Sequence, residues 1–329
     1  MNFNGRFWLA SLVGSAALTV AVVADTTEIK VDSAIGAYTK VDGIKGNINI
    51  IGSDTCVNLD TLWGEGFKKV YPEVNVSVEG KGSATAPPAL ASRTANVGPM
   101  SRPMKPEELD TVNGKWGYEP TGVNMAIDAL AVFVHKDNPL KNLTIELLDA
   151  IFSKTRKGGY QEEITTWGQL GLTGEWENKP ISLYGRNSAS GTYGYFKEHA
   201  LFKGDFKSSV KEQPGTAAVV QGVSEDLYGI GYGGIGAMTP GVRPVPLAKT
   251  FGATVFKPTY ENSLSGKYPL ARFLMLYVDN APGKGTDPVV GEFVRFVLSK
   301  EGQEIVVKDG YMPLTPAMVT KELEKLNRK

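Results

Sequence analysis

The sequence predicts an α/β fold in two lobes. Strand–turn–helix units recur along the chain, the order that builds largely parallel sheets. The 329 residues exceed what one hydrophobic core ordinarily organises, so two cores are expected. Three of the strand-to-helix turns share one composition of Gly, Ser and Thr.

The chain opens on Arg6 followed by the uncharged, apolar run "FWLASLVGSAALTVAVVA". Val22 and Ala24 are small residues ahead of polar Asp25. Residues 1–24 therefore predict a cleaved secretory signal peptide, and an uncleaved membrane anchor is the alternative for so long a run. Residues 25–45 are polar and predict a loosely held lead-in. "NINIIGSDT" reads as a buried strand entering a turn. "CVNLDTLWGEGFKKVYP" carries Leu59, Leu62, Trp63, Phe67 and Val70 at helical spacing and stops at Pro72. "VNVSVEGKGS" alternates as a strand does. "ATAPPALAS" suits a helix with Pro87 and Pro88 in its first turn, and "ANVGPMSRPM" a short strand and turn.

"AIDALAVFVHKDNPL" is the next buried strand and "TIELLDAIFS" a helix. "PISLYGRNSASGTYGYFKEHALF" repeats strand, turn and helix. "AAVVQGVSED" is helical, while "YGIGYGGIG" and "YPLARFLMLYV" are strands. "VVGEFVRFVLSKEGQEIVVKDGY" reads as one amphipathic helix, with Phe293, Phe296, Val297 and Ile305 on one side.

Composition excludes more than it assigns. Acidic and basic residues are equal at 35 each, so no bulk field points to nucleic acid or a membrane surface as partner. Loss of Arg6 with the signal leaves 34 basic against 35 acidic residues. Cys56 is the only cysteine, so no internal disulfide forms, and it reads as a buried thiol. With one Cys and two His, His135 and His199, no metal site is expected, and no cofactor.

The three turns are "GSDT" (52–55), "GKGSAT" (80–85) and "GRNSASGT" (185–192). Each places a hydroxyl where a helix begins. First-turn N–H groups lack internal partners and carry partial positive charge, Gly lets an anion approach the backbone, and the hydroxyls add donors. Arg186 adds a planar fork for two oxygens. Any one turn could be a plain helix cap; three converging in one α/β chain point to a tetrahedral oxyanion at the strand ends. "GRNSASGT" lacks the Lys of a P-loop. No G-x-S-x-G elbow is present, and nothing supplies an activated nucleophile, so an exported phosphoester hydrolase is the weaker alternative.

"IGSDT", "GKGSAT", "SRPM" and "GRNSASGTYGYF", with "YPLARFLMLYV" and "SKEGQEIVVKDGY" behind them, resemble the periplasmic phosphate-binding proteins of ABC transporters. The resemblance runs from about Gly46 to Leu314 and rests most specifically on the Arg–x–x–x–Ser–Gly–Thr turn. It implies a type 2 periplasmic binding protein fold, with crossing strands as hinge and a ligand cleft between lobes. One lobe is expected at 46–126 plus 280–329 and the other at 127–279. It implies that Ser53, Thr55 and Ser83 of the first lobe and Arg186, Ser190, Gly191 and Thr192 of the second bind the anion, with Ser101 and Arg102 bordering the cleft; Asp54, between Ser53 and Thr55, is added to the binding set as a candidate acid. It implies a monomer in the periplasm that binds inorganic phosphate and serves a membrane permease.

Two departures bear on selectivity. The family often pairs the Arg with an Asp two residues on, where this chain has Ser188. It often places a proton-accepting Asp where this chain has Ser101. Asp54 and Asp128 are the candidate substitutes, and each has a plainer reading: a helix cap for Asp54, an ion pair with a basic residue for Asp128. Phosphate keeps a proton near neutral pH and sulfate does not, so the acid separates the two. Another oxyanion (sulfate, molybdate or a phosphonate), or sensing rather than transport, remains an open reading of the same residues.

Overall fold

The computed structural model describes residues 29–326; the expected signal peptide lies outside them. In chain order come β1 (Gly46–Gly52), α1 (Val57–Val70), β2 (Val74–Gly80), α2 (Ala86–Ala91), β3 (Val97–Met100), α3 (Pro106–Trp116) and the long β4 (Thr121–His135). Then follow β5 (Leu143–Thr144), α4 (Ile145–Phe152), β6 (Ser182–Arg186), α5 (Gly191–His199), β7 (Lys211–Gln213), α6 (Thr216–Glu225) and β8 (Gly229–Gly234). The chain continues through β9 (Val242–Pro244), β10 (Leu247–Ala248), α7 (Tyr260–Leu264) and β11 (Ala271–Val278). It ends with β12 (Asn280–Ala281), β13 (Gly285–Thr286), α8 (Pro288–Leu298), α9 (Lys300–Lys308) and α10 (Pro316–Leu326).

Among the described residues one nine-stranded sheet runs in the order β2-β1-β3-β11-β4-β8-β6-β7, with β9 also on β4. Its two ends are parallel: β1 with β2 and β3, and β6 with β7 and β8. The middle is antiparallel. β11 pairs with β3 and with β4 from Thr121 to Ala129, and β4 then pairs with β8 from Leu130 to Val134. The fold is thus two parallel α/β lobes joined by two strands that cross between them. The near-continuous apolar run of β4 follows from burial on both faces, and from Ala126 to Val134 every residue is buried.

The carboxyl ends of β1, β2, β3, β6 and β7 lead directly into Ser53, Ser83, Ser101, the 187–191 turn and Thr216. Parallel strands in register deliver those ends to one place, and here the places belonging to the two lobes face each other.

Three stretches differ from the sequence reading. The long C-terminal amphipathic run is two helices, not one. Ser299 adopts an extended backbone and caps α9 through Gly302 N–H, and a side chain at 302 would strike Phe296 O at 2.2 Å. The break lets Phe293 and Phe296 cover α1 while Gln303, fully buried, ties Met125 O and Leu314 N–H. The polar segment 106–116, not assigned above, is α3: Glu108 accepts from Lys105 N–H, closing the first turn. The described part of the lead-in is tied down rather than loose. Ile35 is buried, Tyr38 packs edge-on to Phe296 at 5.5 Å, and its N–H and hydroxyl donate to Glu301 and Glu292. No helix of the described residues is long and apolar enough to cross a membrane.

Candidate functional site

The turn after β1 packs under the turn after β3. Ser53 N–H donates to Pro99 O at 2.8 Å, and its fully buried hydroxyl donates to Ser101 Oγ at 3.1 Å. Neither Ser53 nor Asp54 caps the short 3-10 turn Asp54–Cys56, so the capping reading of Asp54 is set aside. Ser83 likewise caps nothing. It accepts from Ser101 N–H at 3.1 Å and lies 3.3 Å from Ser101 Oγ. Ser101, where an acid was absent, is therefore the junction of a three-serine cluster.

The second lobe meets this cluster without a gap. Ala84 N–H donates across to Ala189 O at 3.1 Å. A Cβ on Gly191 would lie 2.1 Å from Ser83 Oγ and 2.5 Å from Ser101 Oγ, so only glycine fits there with the lobes together. Ser190 does cap, accepting from Tyr193 N–H at 3.2 Å, which starts α5 and leaves its hydroxyl proton to give. Thr192 Oγ1 lies 2.9 Å from Thr55 Oγ1 of the other lobe.

Arg186 is 2 % exposed and donates from all three guanidinium nitrogens, with one Nη1 proton of its five left over. Its Nη2 donates to Asp54 Oδ1 at 2.6 Å and to Pro214 O at 3.1 Å, Nη1 to Thr216 Oγ1 at 3.0 Å and Nε to Gln213 O at 3.3 Å. Asp54 Oδ2 accepts from Thr216 N–H at 3.0 Å. Asp54 thus reaches across the cleft to supply the counter-ion that position 188 lacks. Behind Arg186, Tyr232 accepts its backbone N–H and stacks on Phe196 at 4.0 Å. Burial pushes the Tyr232 phenol well up, so it stays neutral.

Asp128, the other candidate acid, holds Arg272. Its Oδ2 accepts from Arg272 Nε at 2.8 Å, both side chains buried, and its Oδ1 accepts from Ile235 N–H at 3.0 Å. The plainer reading of Asp128 as an ion-pair partner is what the structure contains. Arg102 does not join the cluster. Its guanidinium makes a two-pronged pair with Glu108, both bonds 2.7 Å, on the cleft rim beside Ser190 and Tyr193. Burial would raise the Glu108 carboxyl, but Arg102 and Lys105 N–H hold it below its usual value.

Thr216 and Arg272 are the site neighbours that the sequence reading passed over. Both had a signal. "PGTAA" after β7 is another Gly–Thr helix start, and Arg272 is the one charge in an otherwise apolar strand. No group of three or more His, Cys, Asp or Glu that could hold a metal occurs among the described residues.

The chain is similar to known proteins in sequence and fold. A family model described as a PBP superfamily domain matches residues 37–301. The chain is 53% identical over 319 residues to the phosphate-binding protein PstS of Pseudomonas aeruginosa, covering 97% of this chain and 96% of that protein. It is 30% identical over 267 residues to the protein SphX of Synechococcus elongatus, covering 80% and 76%. A crystal structure from Clostridium perfringens, of a protein described as a phosphate ABC transporter substrate-binding protein with bound phosphate, superimposes with a TM-score of 0.70. The identity is 25%, over 82% of this chain and all of that one.

Proposed function

The chain belongs to the PstS family of phosphate-binding proteins within the PBP superfamily, and we propose that it binds inorganic phosphate between its lobes and delivers it to the permease of an ABC transporter. The observation that carries this is the meeting of Ser53, Thr55, Ser83 and Ser101 from one lobe with Arg186, Ser190, Gly191 and Thr192 from the other. Donors that converge only when lobes close make binding and closure one event.

Asp54 is the acid of the site. It pairs with Arg186 across the closed cleft, and one of its oxygens accepts the proton of phosphate. Asp128 has both oxygens committed away from the hydroxyl cluster, to Arg272 and Ile235 N–H. Catalysis is not part of this reading: Ser53, Ser83, Thr55 and Thr192 hydrogen-bond to one another or to neighbouring hydroxyls rather than to a base. The signal peptide would place the protein in the periplasm, where a monomer suffices, since both halves of the site come from one chain.

Calorimetry of the mature protein against phosphate, sulfate and molybdate tests the reading. Phosphate binding with sulfate rejected is expected. Equal affinities would make it a general oxyanion receptor, and no binding of any of the three would overturn it.

A further inference from the structure

The two arginines and three threonines form one row across the cleft. Asp54 holds Arg186, which donates to Thr216 Oγ1 at 3.0 Å. Thr216 lies 3.4 Å from Thr55, and Thr55 lies 2.9 Å from Thr192. Thr192 Oγ1 accepts from Arg272 Nη2 at 2.9 Å, and Arg272 is held by Asp128. A hydroxyl has one proton to give and two lone pairs to accept with. At both ends of the row a guanidinium already donates to the oxygen, so the proton of Thr192 points away from Arg272, towards Thr55 or the cleft, while that of Thr216 also has Asp54 Oδ2 within reach at 3.4 Å.

We propose that Arg272 is a positioning residue of the anion site: by donating to Thr192 it turns that hydroxyl into an obligatory donor for an unprotonated ligand oxygen, and it locks this setting to the hinge. The proposal rests on the anion reading of the cleft. Three further observations support it. Arg272 sits on crossing strand β11 and pairs with Asp128 on crossing strand β4. Its Cζ lies 5.4 Å from the Tyr195 ring centroid, and Tyr195 OH donates to Ala271 O at 2.7 Å. Both contacts fasten α5, which carries Thr192, to the hinge. Its Nη1 is buried and unpartnered among the described residues, so the side chain is not explained as a counter-ion for Asp128 alone. A buried donor without a partner is costly, and an anion oxygen or a water bound with it would satisfy it.

A counter-ion role and a positioning role part company in Arg272→Lys. Lysine keeps the charge beside Asp128 but cannot also reach Thr192 in the same fork geometry. Phosphate affinity should be measured by calorimetry in the wild type, Arg272→Lys, Thr192→Val and the double variant. Loss of one hydrogen bond to a charged ligand predicts about a ten- to hundredfold weaker binding for each single variant. The double variant should then be no worse than Thr192→Val by more than about twofold, since contacting residues couple. Asp128→Asn with Arg272→Gln removes both charges together, keeps the interior balanced, and should show the same loss. Wild-type affinity in Arg272→Lys, or losses that multiply in the double variant, would overturn the proposal while leaving the anion reading intact. A wild type that binds neither phosphate nor sulfate would overturn both.

Discussion

Replacing Asp54 with Asn separates the two anions that the site must tell apart. The carboxylate makes three contacts: Arg186 Nη2 at 2.6 Å, Thr216 N–H at 3.0 Å and Thr216 Oγ1 at 3.4 Å. Asn keeps the shape and one acceptor oxygen, but its NH2 can only donate. Phosphate loses the acceptor for its proton, a bond to a charged group worth about 1.5–3 kcal/mol. Sulfate gains, because it no longer faces a carboxylate. At about 4 Å and an effective dielectric of about 20 that repulsion is about 4 kcal/mol between unit charges, which bounds the gain.

The two effects have opposite signs, so they add in the ratio. The preference should move towards sulfate by at least about 1.4 kcal/mol, or tenfold. Calorimetry of wild type and Asp54→Asn with both anions at one ionic strength reads this directly. If both affinities change by the same factor, Asp54 serves Arg186 only, and its role as proton reader is wrong. Overall stability without ligand should hardly change, because the lost pair lies between lobes rather than inside either core.

Gly191→Ala should weaken phosphate binding by about tenfold or more while the free protein melts normally. The new methyl strikes Ser83 and Ser101 only on closure, and overpacking costs about 1–3 kcal/mol; unchanged affinity in calorimetry would show that the lobes need not meet there. Arg186→Lys keeps the charge but loses the fork, and should cost about 1.5–3 kcal/mol of affinity for each charged hydrogen bond removed, with the circular dichroism spectrum unchanged; undiminished affinity rejects its place in the site. Asp60, on α1, is fully buried with neither oxygen partnered among the described residues, and burial, then the charge of Asp309, raises its carboxyl well above the usual range. The folded state therefore holds that proton more tightly than the unfolded chain, so its contribution is fully present below the ordinary carboxylate value and is lost as pH rises through the elevated one. Asp60→Asn should raise the melting temperature at pH 8 and bring no such gain at pH 4, and a variant no more stable than wild type at pH 8 would contradict this.

The turns were legible because their chemistry is local. Gly, Ser and Thr between a strand and a helix announce themselves within a few residues, and Ser53, Thr55, Ser83, Ser190, Gly191 and Thr192 all meet at the cleft. What was not legible is long-range. Nothing near Arg186 in sequence marks Asp54, 132 positions away, and nothing near Thr192 marks Arg272. Arg102, beside Ser101, stands on the cleft rim as expected, and its partner there, Glu108, lies six residues on. The helix break at Ser299 was hidden because both halves keep their apolar faces on the same core, so the periodicity runs through the interruption.

The departure at Ser188 changes more than the location of a charge. An Asp at 188 would belong to the same lobe as Arg186 and could pair with it whether the cleft were open or shut. Asp54 belongs to the other lobe, so its 2.6 Å bond to Arg186 exists only when the lobes are together. A buried ion pair adds little net stability when its partners leave water merely to meet each other. Here the pair forms on closure, so its geometry matters to the open–closed balance rather than to folding. An incoming anion competes with Asp54 for the same guanidinium, and a fully ionised one also meets the repulsion of Asp54. A protonated phosphate avoids that repulsion by donating its hydrogen to the carboxylate. On the proposed reading, an acid at position 54 rather than 188 puts selection for the ligand's proton and the closing of the cleft on one side chain.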